Sequence, residues 1–135
     1  MLVLPAVMGK NWLPPREAVY NSIWWESGEF PWIRQQVFEK TGDIDIAFIG
    51  ASRITAAFDT PMVQEQLSKH LGRPATVLTL GWGGGGYDQL YFVAHDLLEH
   101  RKVKVLVFDD VYNRADQPHV LAPRLFRLAD NLEAL

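Results

Sequence analysis

Ile44-Asp45-Ile46-Ala47-Phe48-Ile49-Gly50-Ala51-Ser52-Arg53 decides the fold. Six residues, five of them apolar, run into a glycine, and a short apolar run that stops this way suits a strand covered on both faces. Two more such runs follow, Ala75-Thr76-Val77-Leu78-Thr79-Leu80 and Val103-Lys104-Val105-Leu106-Val107-Phe108. Helix signals separate them. Asp59-Thr60-Pro61 reads as a cap followed by a first-turn proline, and Val63, Leu67 and Leu71 recur at four-residue spacing before Gly72. Asp88 can cap a second helix with Leu90, Ala94, Leu97 and Leu98 on one face. Pro123 can open a third, with Leu125, Leu128, Ala129 and Leu132 as its stripe. Strand and helix alternate, so the crossovers are right-handed and the sheet is parallel with helices on both faces. The expectation is a three-layer α/β/α domain with strand 44–49 in the middle, order 2-1-3.

Upstream, residues 1–43 read as a separate, aromatic-rich helical segment, with 44–135 as the α/β domain. Trp12, Tyr20, Trp24, Trp25, Phe30, Trp32 and Phe38 crowd this stretch. Pro15 can open a helix running to Trp25, and Pro31 a second that closes at Thr41-Gly42. So many rings either cover one edge of the sheet or sit at a membrane interface, where Trp and Tyr favour the headgroup level. The apolar start, residues 1–8, is broken by Pro5 and is too short to span a bilayer.

Composition narrows the function classes. The net charge of −3 and the scattered basic residues argue against a nucleic-acid-binding face. The chain has no cysteine, so it has no disulfide and no thiolate metal site. His70, His95 and His100 fall among polar helix positions, read as solvated, and do not converge with carboxylates on a metal. No metal and no cofactor is expected.

Ligands of parallel sheets bind beyond the carboxyl ends of the strands, where the order reverses. Three loops lie there: Gly50-Ala51-Ser52-Arg53, the run Gly81-Trp82-Gly83-Gly84-Gly85-Gly86, and Asp109-Asp110-Val111-Tyr112-Asn113. A serine one step past a buried strand can act as a nucleophile, since the same turn supplies an oxyanion donor, or it can simply cap a helix. Consecutive glycines let backbone N–H groups approach a ligand closely, or else form a plain tight turn. The spacing is neither a nucleophile elbow, because position 54 is Ile, nor a phosphate loop, because no Gly-Lys-Ser/Thr follows.

The blocks Ile46-Ala-Phe-Ile-Gly-Ala-Ser-Arg53, Val77-Leu-Thr-Leu-Gly-Trp-Gly-Gly84 and Val105-Leu-Val-Phe108 resemble the first part of the SGNH (GDSL-like) hydrolases. The likeness is strongest to their divergent, often membrane-anchored bacterial branch, and it covers about residues 44 to 113. It implies a flavodoxin-like sheet, here in part, with further strands beyond this chain. It implies Ser52 as nucleophile, and Ser52, Gly84 and Asn113 as oxyanion donors. Arg53, Gly83, Asp109 and Asp110 would be ligand contacts. The pattern departs from the family at Ala51, at Thr79 and at Asp109-Asp110. The family's late Asp-x-x-His is matched only by Asp116-Gln-Pro-His119, which comes directly after the third strand. Asp116 and His119 are therefore the candidate catalytic pair, and the chain by itself is expected to be a poor enzyme.

The resemblance thus implies a serine esterase or acyl hydrolase acting on O-acylated carbohydrate or lipid of the cell envelope. Its partner would be a small-molecule or glycan ester, with no nucleic acid and with membrane association through the aromatic segment. Two alternatives stand beside it. One is a non-catalytic relative that binds glycan or a partner, which the displaced histidine favours. The other is a flavodoxin-like phosphate or nucleotide module using the glycine run, which the lack of a nearby lysine disfavours.

Overall fold

The computed structural model describes residues 15–21, 29–84, 86–109 and 118–119. In chain order the elements are α1 (Arg16–Asn21), α2 (Glu29–Arg34) continued by a π-helical turn (Gln35–Glu39), β1 (Ile44–Ala51), α3 (Ser52–Ala57), α4 (Thr60–Leu71), β2 (Val77–Trp82), α5 (Tyr87–His100) and β3 (Val103–Phe108). The three strands form one parallel sheet in the order β2-β1-β3. The expected three-layer α/β arrangement is the observed one. Residues from 123 onward, where a last helix was expected, lie outside the described residues.

Strand alternation divides the core into two. On one side of the sheet Ala47, Ile49, Leu78, Leu80 and Trp82 pack with Tyr20, Phe30, Ile33 and Val37, and with Leu90, Val93, Ala94 and Leu97 of α5. On the other, Phe48 and Val77 pack with Ile54 of α3 and with Val63 and Leu67 of α4. The described part of residues 1–43 thus shares a core with the strands. Tyr20 and Phe30 are fully buried, whereas Trp32 is 50% exposed. Trp12, Trp24 and Trp25 lie outside the described residues. Among the described residues no helix is long and apolar enough to cross a membrane.

Local chemistry sets the helix ends. The Asp59 carboxylate accepts the Met62 N–H at 3.0 Å, and Gly72 closes α4 at φ 65°, a left-handed conformation that glycine adopts without a side-chain clash. Leu71 and Leu98, which the spacing grouped with the apolar faces of their helices, are 43% and 52% exposed. On α5 the core instead receives Val93, together with Asp96. Gly86, not Asp88, occupies the cap position of α5. Arg101 closes the π-helical turn by donating to the carbonyls of Gln36 (2.6 Å) and Gly42 (2.9 Å).

Two acidic side chains pin the layers together. Asp96, 1% exposed, accepts Arg16 Nε at 2.8 Å and the Tyr20 hydroxyl at 2.6 Å, tying α5 to α1. Burial, with the Asp96 charge adding to it, pushes the Tyr20 phenol well above its ordinary range. At the end of the sheet where the strands begin, Asp45 accepts Arg73 (2.5 Å), Lys104 (2.8 Å) and the Thr76 N–H (3.0 Å). These bonds, Arg73 first, hold the Asp45 carboxyl far below the usual carboxylate range. A carboxyl whose folded pKa is depressed stabilises the fold above its unfolded value, about 3.9, and loses that contribution as pH falls further. Melting temperature is therefore expected to drop more steeply between about pH 4 and pH 2 in the wild type than in Asp45→Asn. Parallel slopes for the two proteins would show that this cluster does not govern acid sensitivity.

Candidate active site at the strand ends

The β1–β2 register sets Gly50 beside Gly81 and Ala51 beside Trp82. The chain leaves both strands at the same level, so Ser52 and Gly83 are neighbouring first residues past the carboxyl ends of β1 and β2. Ala51 is extended, and α3 starts at once, with Ser52 as its first residue. The N–H groups of a helix's first turn lack intrahelical acceptors. Ser52 therefore offers an N–H and an exposed hydroxyl from one position.

Close contacts fix that position from two sides. Toward β2, a Cβ at Gly81 would lie 2.0 Å from Thr55 Oγ1. Toward β3, a Cβ at Gly50 would lie 2.3 Å from Asp109 Cβ, and the Asp109 N–H donates to the Ile49 carbonyl at 3.0 Å. Arg53 then reaches across to the Asp109 carboxylate at 3.3 and 3.4 Å. Arg53 is 62% exposed, so this pair guides orientation more than it adds stability. Gly81 is what allows α3 to approach β2 this closely, and Gly50 is what allows the end of β3 to close on β1.

Ser52 opens on a cleft of about 380 Å³ lined also by Glu29, Trp32, Thr55, Gly81 and Trp82. Glu29 and Trp32 come from α2. Sequence reasoning gave them no place in the site, because nothing local marks which face of α2 reaches the strand ends. A second groove, of about 480 Å³, lies between α5 and β3 and is lined by Tyr87, Leu90, Tyr91, Ala94, Phe108 and Asp109.

His119 is brought to the glycine run. It is 3% exposed, and its Nε2 lies 2.8 Å from the Gly83 carbonyl oxygen. Its backbone N–H donates to both oxygens of Asp88, at 3.0 and 3.1 Å, and Asp88 also accepts the Gln89 N–H at 2.8 Å. Gly84 has φ 85°, and a Cβ there would lie 2.8 Å from His119 Nε2; one at Gly86 would lie 2.7 Å from His119 Cβ. The glycines are thus the seat of a histidine side chain. Asp110, Asn113 and Asp116 lie outside the described residues.

The remaining histidines are peripheral to these loops. His95 faces Glu99 at 3.7 Å on the outside of α5. His100 is exposed, as its polar helix position suggested, with its ring 4.6 Å from Phe38 and Nδ1 2.8 Å from the Asp96 carbonyl. His95, Asp96 and Glu99 place ligand atoms within 4.8 Å of one another. Both Asp96 oxygens are already bonded to Arg16, and one of them to Tyr20 as well, which leaves that cluster a structural joint.

No family model matches the chain, and no curated protein or solved structure matches it.

Proposed function

We propose that the protein is an SGNH-like serine acyl hydrolase, with Ser52 as nucleophile, acting on O-acylated carbohydrate or lipid of the cell envelope. The observation that carries this reading is the placement of Ser52. It is the first residue after the central strand of a 2-1-3 parallel sheet, beside the glycine run and open to a cleft. Ser52 Oγ would bond to the ester carbonyl carbon, and the developing oxyanion would accept from the Ser52 and Gly84 N–H groups and from Asn113. The hydroxyl proton would pass to a base and then to the departing alcohol, and water would release the acid in a second step. The sequence's candidate base is His119. Its Nε2 faces the Gly83 carbonyl, so turnover of ordinary esters is expected to be slow while acylation by an activated reagent persists.

A fluorophosphonate probe tests this directly, because its fluoride leaves readily and its phosphoryl oxygen is held by the same donors as an ester oxyanion, so it reports a nucleophilic Ser52 even where ester turnover is slow. The wild type should label at Ser52, and Ser52→Ala should reduce labelling by about 100-fold or more, to background. Equal labelling of the two proteins, or none of the wild type, would remove the hydrolase reading. A non-catalytic glycan-binding role then takes its place, favoured by the half-exposed Trp32 indole beside Ser52, a surface on which a sugar ring can stack.

A further inference from the structure

We infer that His119 is a positioning residue that locks the Gly83–Gly84 peptide, so that the Gly84 N–H is held ready for an oxyanion; this rests on the acyl-hydrolase reading above. A carbonyl oxygen only accepts hydrogen bonds, so the 2.8 Å contact requires the proton to be on His119 Nε2. The Gly83 C=O and the Gly84 N–H belong to one peptide plane. That peptide is trans, and in a trans peptide the two groups point in opposite directions. A donor fastened to the oxygen therefore dictates where the N–H points.

This lock has something to do. A peptide between two glycines flips more readily than any other, since neither residue has a Cβ to restrict φ and ψ. Gly84 at φ 85° is one of the two orientations available, and the wrong one would turn a carbonyl oxygen toward a developing negative charge. His119 is itself held. Its backbone N–H is fixed on the Asp88 carboxylate, which is anchored in the first turn of α5. Gly84 and Gly86 leave room for its ring and its Cβ. The residue is 3% exposed, so its ring faces little competition from water for the carbonyl.

The lock and a general base make different demands on residue 119. A base must take a proton, while a lock needs only an N–H at the reach of Nε2. Glutamine supplies the second and not the first, because its amide nitrogen extends about as far as Nε2. Asparagine is one carbon shorter and supplies neither. The rate of Ser52 phosphonylation is expected to fall about 10- to 100-fold in His119→Ala and in His119→Asn, in line with the loss of an oriented oxyanion donor. In His119→Gln it should return to within about threefold of the wild type.

A slow His119→Gln, equal to alanine, would overturn the lock and make the imidazole a base. An unchanged rate in His119→Ala would overturn it as well. The Gly84 amide resonance supplies a readout that does not depend on reaction. It should move in His119→Ala and return in His119→Gln, and a resonance that stays put in alanine overturns the lock. A wild type that takes no probe at Ser52 retires the hydrolase reading instead, and the resonance then decides the lock by itself.

Discussion

Asp96→Ala should destabilise the protein by about 3–5 kcal/mol, among the largest effects of any single substitution here. The carboxylate is 1% exposed and holds the Arg16 guanidinium, 12% exposed, together with a fully buried Tyr20 hydroxyl. Truncation leaves a cation and a hydroxyl without their acceptor, in a place water barely reaches. Arg16 keeps its approach to the Phe92 ring, 5.3 Å from the centroid. Tyr20→Phe removes one hydrogen bond and leaves no charge stranded, so it should cost about 1 kcal/mol. Urea unfolding of the two variants separates these outcomes. A loss below about 1 kcal/mol for Asp96→Ala would mean that α1 does not depend on this joint.

The second large effect is expected at Gly50. A methyl group there would sit 2.3 Å from Asp109 Cβ and 3.3 Å from the Asp109 backbone nitrogen, atoms that cannot rotate away. To admit it, the end of β3 must separate from β1. That would break the Asp109–Ile49 backbone bond and pull Arg53 from its partner. Gly50→Ala should cost about 3 kcal/mol, the upper end for overpacking. Gly83→Ala is the control, since a Cβ there meets nothing within 4 Å and its φ is ordinary. Its stability should stay within about 0.5 kcal/mol of the wild type, as at an exposed site. If the two alanines melted alike, the tight approach of β3 to β1 at Gly50 would be disproved.

The sheet was legible because its signals are local. Each strand is an apolar run with a stop, and Asp59, Pro61 and Gly72 mark α4 by their own backbone preferences. The expected β2 began at Ala75, whereas pairing starts at Val77, because register is set by β1 across the sheet and not by composition. α3 carries no proline or cap that announces it: Ala51 caps it without a side-chain bond. Leu98 looked equivalent to Leu97 in the pattern, but the inward face turns toward α1 through Val93 and Asp96.

At the candidate site, Ser52 and the glycine run were legible as strand-end features. Their common level follows from a parallel sheet in which β1 and β2 are neighbours. The seat of His119 was not legible. A histidine that bonds to a carbonyl 36 residues away leaves no periodic trace. Gly84 and Gly86, read as letting backbone N–H groups approach a ligand, also leave the room that this histidine occupies. Trp32 and Glu29 were missed for the same reason, since their neighbour Ser52 belongs to a different layer.

The strand order also has a consequence during synthesis. β1 is the central strand and is made first, yet Ile46 pairs with Val77 on one side and with Val105 on the other. A nascent chain emerging from the ribosome carries an apolar octapeptide with both edges open until β2 appears, and with one edge open until β3 does. Such non-local parallel pairing is slow and exposes sticky backbone while it waits. The protein should therefore be a client for holding chaperones in proportion to the pause between residues 51 and 103. Synonymous codons that slow translation in that window should lower its soluble yield without changing a single amino acid.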